Sequence, residues 1–460
     1  MSMKIKFGIT LGLVFSLFTT VCASASAEYV TLMPDVTAPM MSSDFWLNKI
    51  DNPHKLIMRP SQIEQFNKAG FKNVKWLNRL ENWDENTIKL REKMDIPLPE
   101  GEFFIDDLMV TDTYWGKLSD NLNLDGINDE GNLRYGFITN RTNVKRYPTN
   151  DVITNVNGDI EYDEFQETAA FTGEPVVILH ESLDGRFYYC ALSYYLGWIN
   201  KNDIAFCETK EDWLEAQSYT DFLLITGNMI TLGENPFNPA LSKVELYMGT
   251  KLPLVPVPEQ PETLYGRQVL GNYVVKFPVR DKDGYVKYEY LPIPVSKDVS
   301  IGYLPYTYAN VLEQLFKMQG DRYGWGGMLG ARDSSGLSQE MYRCFGIYLP
   351  RNSGQQVEYT GKKFDLTEKS VEERDTILTA EVKPGAILGF PGHIMIYLGE
   401  HEGKHYVMSA TGGYGEYYDE STDAYSYSQT RSVYINSLDI KRASGTSWLE
   451  SLTSVVCLIP

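Results

Sequence analysis

The sequence predicts a multidomain chain: a helical N-terminal segment, two small β-barrels and a C-terminal α+β domain. Three observations carry that expectation. Between 43 and 109, apolar residues such as Phe45, Trp46, Leu47, Ile50, Leu56, Ile63 and Phe66 recur at short intervals, many of three or four residues. From 135 to 300 the pattern changes to short aromatic and β-branched runs separated by turn residues. After 306, helical stretches precede a series of strands, the order of an α+β layer arrangement.

Composition narrows the function. The 460 residues are 43% hydrophobic and 22% charged, as in globular chains, with a net charge of −19 and no Lys/Arg-rich block. A protein that tracks phosphates needs a basic footprint, so nucleic-acid binding is excluded.

The chain opens like a Sec signal peptide: Lys4 and Lys6, an apolar run over 7–18, then Ala23-Ser24-Ala25-Ser26-Ala27. That run is shorter than the roughly 20 residues a spanning helix needs, and no later run replaces it. Residues 1–27 are expected to be removed on export to the cell envelope, periplasm or exterior, leaving no membrane span and a monomer. A rival reading takes Cys22 as a lipid-anchored cysteine, although Val21 before it is larger than that signal usually tolerates.

Residues 28–125 are the expected helical segment, broken by Pro53, Pro60 and Pro97. In 130–212 the strand candidates are Phe137-Ile138-Thr139, Val176-Val177-Ile178-Leu179, Phe187-Tyr188-Tyr189-Cys190 and Gly197-Trp198-Ile199. Asp184-Gly185 turns between two of them, giving a small SH3-like barrel. Residues 213–302 form a second, divergent β unit, with strands at Phe222-Leu223-Leu224-Ile225, Tyr273-Val274-Val275-Lys276-Phe277 and Tyr285-Val286-Lys287-Tyr288. Its Pro253, Pro256, Pro258 and Pro261 mark an edge or surface loop. Cys190 and Cys207 could bridge, or could be two small buried hydrophobes. The five histidines show no zinc spacing, so neither metal nor cofactor is expected.

Within 303–460, Tyr323-Gly324-Trp325-Gly326-Gly327 leads to Arg332-Asp333-Ser334-Ser335-Gly336-Leu337 at the start of a helix. Free N–H groups there favour developing negative charge. Asp333 or Ser335 could equally be a helix cap. A second block, Leu349-Pro350-Arg351-Asn352-Ser353-Gly354-Gln355-Gln356, precedes His393, which opens the apolar strand His393-Ile394-Met395-Ile396-Tyr397-Leu398.

In this order, Y-x-W-G-G, D-x-S-G, L-P-R-x-S-x-x-Q and G-H-I-M-I-Y-L-G resemble the NlpC/P60 cell-wall peptidases. The barrel from Tyr135 resembles a bacterial SH3 (SH3b) domain through Gly173-Glu174-Pro175-Val176, His180-Glu181-Ser182 and Asp184-Gly185. The resemblance implies a four-part chain: an N-terminal stabilising segment, two SH3b domains and a papain-like catalytic domain. It further implies cleavage of peptidoglycan stem peptides between γ-D-glutamate and a diamino acid, by a Cys–His pair and a third polar residue. Here the nucleophile position is Ser334, the base is His393, and the third position, usually His, is Ser409. Asp333, Ser335, Asn352 and Ser353 match substrate-side positions, and Tyr323 and Trp325 could line the groove or equally be buried core aromatics. Asn352 stands where some members carry an Asp that holds a free amine.

A hydroxyl is far less acidic than a thiol, so Ser334 would need His393 as a true general base. Cys344 lies ten residues on, about 15 Å along a helix, and cannot substitute. A serine hydrolase, a peptidoglycan-binding member without activity, and a cysteine enzyme with its nucleophile exchanged remain the alternatives.

Overall fold

The computed structural model describes residues 29–73, 80, 90–127, 133–421 and 424–459. The expected signal peptide with Cys22 lies outside them, as does most of 77–89. Among the described residues no helix is long and apolar enough to cross a membrane.

The C-terminal part is organised by one antiparallel sheet. Its strand order is Lys362–Asp365, Ser454–Cys457, Ile387–Phe390, His393–His401, Lys404–Asp419 and Ala424–Ser437. Phe390 pairs with His393 across a tight turn at Pro391-Gly392, where Gly392 has φ of 90°. His393 is therefore fixed as the first residue of its strand. The Ser334–Arg343 helix lies on one face: Leu337 and Met341 share a core with Ile394, Ile396, Met408 and Ala410. The Val371–Glu381 helix covers the other face, with Leu378 among Leu388, Met395, Tyr397 and Val407. Each such Leu or Met side chain, fully buried, stabilises by about 1.5–3 kcal/mol.

The first β unit is a sheet in the order Gln166–Ala170, Thr142–Lys145, Leu196–Asn200, Phe187–Ala191, Pro175–Glu181, Arg134–Ile138 and Ile204–Phe206. Gly185 turns its central hairpin at φ of 69°. In the second β unit Phe222–Ile225 lies between Lys251–Pro253 and Val299–Ile301, and the long hairpin of Asn272–Arg280 and Val286–Pro294 adds a further ladder. Leu223, Ile225, Val275, Phe277 and Ile293 fill one core between them. The proline-rich segment enters at the edge, as a chain lacking amide donors must. Cys190 and Cys207 are both free thiols, which removes the bridge considered from the sequence.

Two local expectations in the N-terminal segment need correction. Pro60 does not break a helix but begins one, Pro60–Asn73, since a first-turn residue has no intrahelical N–H bond to lose. Phe104–Ile105 and Leu108–Met109 form a hairpin where helix was expected, with Asp106 and Asp107 at φ of 45° and 66°. Aspartate tolerates that left-handed turn better than most residues.

The segment also divides between two neighbours. Trp46 is fully buried, 5.4 Å from the Tyr406 ring, and Lys404 pairs with Asp35 at 2.8 Å, so this part straps the C-terminal sheet. Met94, Phe103, Leu118 and Leu122 pack instead on Tyr147, Phe165, Phe187 and Trp198 of the first β unit.

Gly326 joins the C-terminal part to that unit. It has φ of 56°, and a Cβ there would stand 2.7 Å from Gln166 Cγ and 3.0 Å from the Gln166 carbonyl oxygen. Gln166 Nε2 donates to the Gly326 carbonyl at 2.9 Å. Gly326→Ala is expected to lower stability by about 1–3 kcal/mol through backbone strain and loss of this approach. Urea titration reads the difference, and an unchanged midpoint would mean that the loop stands clear of the strand.

Candidate functional site

The approach loop delivers Asp333 to the N-cap of the Ser334–Arg343 helix. Its Oδ1 accepts from the Gly336 N–H at 2.8 Å, and its Oδ2 from the Gly326 N–H at 3.0 Å. Arg351 closes the arrangement: Nη2 donates to Asp333 Oδ2 at 2.6 Å and Nη1 to the Ser335 hydroxyl at 2.8 Å. Arg351 Nε reaches the first β unit through the Thr168 hydroxyl at 2.7 Å. Burial alone would raise the Asp333 carboxyl; the Arg351 guanidinium and these hydrogen bonds outweigh it and hold the group below the usual carboxylate range. Asp333 and Ser335, expected to meet substrate, are thus engaged with each other and with Arg351. The capping alternative describes Asp333 well.

Ser334 is the first residue of the helix and half-buried, and its hydroxyl has no hydrogen-bond partner among the described residues. It shares a cavity of about 670 Å³ with His393, a volume suited to a small peptide. Asn352, Ser353, Tyr323 and Trp325 line the same cavity. Trp325 is 43% exposed and lies 5.8 Å from the Tyr162 ring, which in turn lies 6.0 Å from Tyr323.

His393 packs on Trp448 at 5.2 Å and on Phe390 at 5.6 Å. Burial, with the positive charge of Arg442, moves its pKa down to about 4, against a smaller opposing pull from Asp333. The ring is therefore neutral at pH 7. Ser409, expected as the third polar residue, does not bond His393: among the described residues Ser409 Oγ and His393 Nε2 are both buried without a partner. Ser409 is buried on the strand next to that of His393, paired with Tyr434 of the following strand.

His401 and His405, the other histidines of this part of the chain, fall elsewhere. His405 bonds the Tyr397 hydroxyl at 2.8 Å and Asp375 at 3.0 Å, and His401 meets Lys49 at 3.1 Å. Cys344 follows the end of its helix, wholly buried, with burial raising its thiol to about 12.

The sequence reading missed one whole wall of the cavity. Tyr162, Gln166, Glu167 and Tyr195 come from the first β unit, and the Tyr195 hydroxyl donates to Glu167. Arg442, Tyr414 and Trp448 come from late in the chain. No local motif marks such residues, because their position depends on how two domains meet.

Arg351→Ala leaves a buried carboxylate without its counter-charge and is expected to cost about 3–5 kcal/mol. Denaturant unfolding measures this, and restoring part of the loss by adding Asp333→Asn would trace it to the unpaired charge. His393 gives a pH signature. The folded ring stays neutral to about pH 4, whereas the unfolded ring titrates near 6.5, so the unfolded chain binds more protons between those values. Stability from this group is fully present above 6.5 and is lost as pH falls to 4. Replacing His393 with Asn is expected to change the slope of stability against pH only in that window.

Residues 320–437 match the model of the NlpC/P60 family, and residues 154–200 match that of an SH3 domain of the SH3b1 type. No curated protein matches the chain in sequence. Among solved structures it is similar to an NlpC/P60 endopeptidase from Photobacterium damselae subsp. piscicida. The two are 20% identical over 90% of this chain and 96% of that one, with a TM-score of 0.74. An NlpC/P60 family protein from Bacillus cereus is 18% identical over 64% of this chain and 83% of its own, with a TM-score of 0.44. At 20% identity the first likeness establishes a common fold. The chain is a multidomain protein with an SH3b1-type domain and, after it, a C-terminal NlpC/P60 domain.

Proposed function

We propose that the protein is an exported peptidoglycan hydrolase that cuts stem peptides at the γ-D-glutamyl–diamino-acid amide, with Ser334 as nucleophile. The supporting observation is that Ser334, at a helix start and without a hydrogen-bond partner for its hydroxyl among the described residues, and neutral His393 line one peptide-sized cavity. In this reading Ser334 Oγ attacks the amide carbonyl while His393 takes the hydroxyl proton. The first N–H groups of the helix favour the negative charge that develops on the carbonyl oxygen. His393 then hands the proton to the departing amine, and water releases the acyl group by the same route. Ser409 is the third polar residue of the set, and Asn352, Ser353, Tyr323 and Trp325 hold the peptide. Glu167, which lines the same cavity as Asn352, offers carboxyl oxygens to a free stem-peptide amine.

Turnover by this arrangement is slow. A base with pKa about 4 is weak, and a serine hydroxyl depends on its base more than a thiol does. A second reading, binding of stem peptides without turnover, is favoured by one observation: His393 Nε2 and Ser409 Oγ do not bond.

Mass spectrometry of an L-Ala-γ-D-Glu–diamino-acid peptide incubated with native protein, Ser334→Cys and Ser334→Ala separates the readings. Slow cleavage by native protein is expected, abolished in Ser334→Ala and at least tenfold faster in Ser334→Cys. Cleavage by Ser334→Cys alone would establish the binding reading. No cleavage by any of the three would overturn the peptidase assignment.

A further inference from the structure

Among the described residues that line the cavity, Arg442 is the arginine without an ion pair. The other arginine there, Arg351, is spent on Asp333, Ser335 and Thr168. Arg442 forms no side-chain hydrogen bond or ion pair among the described residues; its guanidinium lies over the Phe390 ring at 4.7 Å. Phe390 stacks edge-on with Trp448 at 5.5 Å, and both rings flank His393. The backbone beneath is fixed: the Arg442 N–H donates to the Thr446 carbonyl at 2.9 Å, and the Gly445 N–H donates to the Arg442 carbonyl at 2.9 Å. From the other side, the Gly415 N–H donates to the Lys441 carbonyl at 2.7 Å. A Cβ at Gly415 would stand only 2.4 Å from the Arg442 oxygen, so that strand lies directly against the turn. A pinned backbone and an aromatic platform present the guanidinium in one place, which lowers the entropy lost when it binds.

A half-buried guanidinium facing a ligand cavity without a counter-ion is an anion site, and its planar fork suits a carboxylate. Its place beside His393 says which part of the ligand that is. His393 must protonate the departing amine, so the amine half of the peptide lies on the His393 and Arg442 side. Arg442 also lies beyond residues 320–437, the part of the chain that matches the family model.

We propose that Arg442 is a specificity-determining residue that binds a side-chain carboxylate on the amine half of the substrate. The preferred stem peptide then carries a diamino acid ending in a free carboxylate, as diaminopimelate does. Lysine at that position brings an ammonium alone and is disfavoured. This inference rests on the stem-peptide reading of the cavity.

The test uses two tetrapeptides, L-Ala-γ-D-Glu-X-D-Ala, with X either meso-diaminopimelate or L-lysine. In both the main-chain carboxyl of X is in amide linkage, so they differ only at the side-chain end. Calorimetry with native protein reads binding, and kcat/KM with Ser334→Cys reads turnover. The diaminopimelate peptide is expected to be favoured about ten- to a hundredfold in either measurement, the range of a charge-assisted hydrogen bond. Arg442→Gln should bring the ratio near one, and Arg442→Lys, which keeps the charge, should retain part of it. Peptides bound or cleaved without preference, or a preference that survives Arg442→Gln, would overturn the role of Arg442 and leave the stem-peptide reading intact. Failure of both peptides to bind or be cleaved would overturn both.

Discussion

The buried ion pair between Arg351 and Asp333 is the constraint on which the site depends. Asp333 caps the Ser334 helix, fastens the Gly326 loop to it, and takes its charge balance from an arginine that also grips the first β unit. Other arginines tie the same helix and its approach loop to their neighbours. Arg343 pairs with Glu174 of the first β unit at 2.8 Å. Arg332 joins Glu340 of the helix to Asn228 of the second β unit, and Arg141 of the first donates to the Gly327 and Ala331 carbonyls. Charges removed from water in this way contribute little net stability, but breaking any one pair is costly. Their effect is to fix how three parts of the chain meet.

That meeting sets the chemistry. One wall of the cavity belongs to the first β unit and the other to the sheet and helix behind Ser334, so access is defined only when the interface is closed. The enclosure also strips His393 of the water that would stabilise its charged form, and the positive charge of Arg442 opposes that form further. A thiol tolerates a weak, neutral histidine because it can ionise at a helix start. A hydroxyl cannot, so on the proposed reading a serine at position 334 places the demand on His393.

Much of this was legible in the sequence wherever a local rule decides the outcome. The helix beginning at Ser334, the strand beginning at His393 and the Asp184-Gly185 hairpin follow from periodicity, capping and turn chemistry, which act over a few residues. The Pro60 helix and the Asp106-Asp107 hairpin went unread because proline and aspartate each have two local uses. Glu167, Tyr195 and Tyr162 could not be read at all, since only domain packing brings them to Ser334. Ser409 was assigned through the family resemblance, from its place in the matching strand, but no sequence pattern reports whether its hydroxyl reaches a ring nitrogen.

The strap around Trp46 bears on how the molecule assembles. The Tyr406 hydroxyl bonds the Asp35 carbonyl across 371 residues of chain, and the Ser437 hydroxyl reaches the Asp35 carboxylate across 402. Contacts of such separation close very long loops and form late, which slows folding. A ribosome delivers residue 35 long before residues 406 and 437, so the apolar face around Trp46 stays without its partner through most of synthesis. Completion of the fold therefore waits until residues 406 and 437 have been made. A fragment that begins at the C-terminal domain would carry an uncovered sheet face in place of that strap.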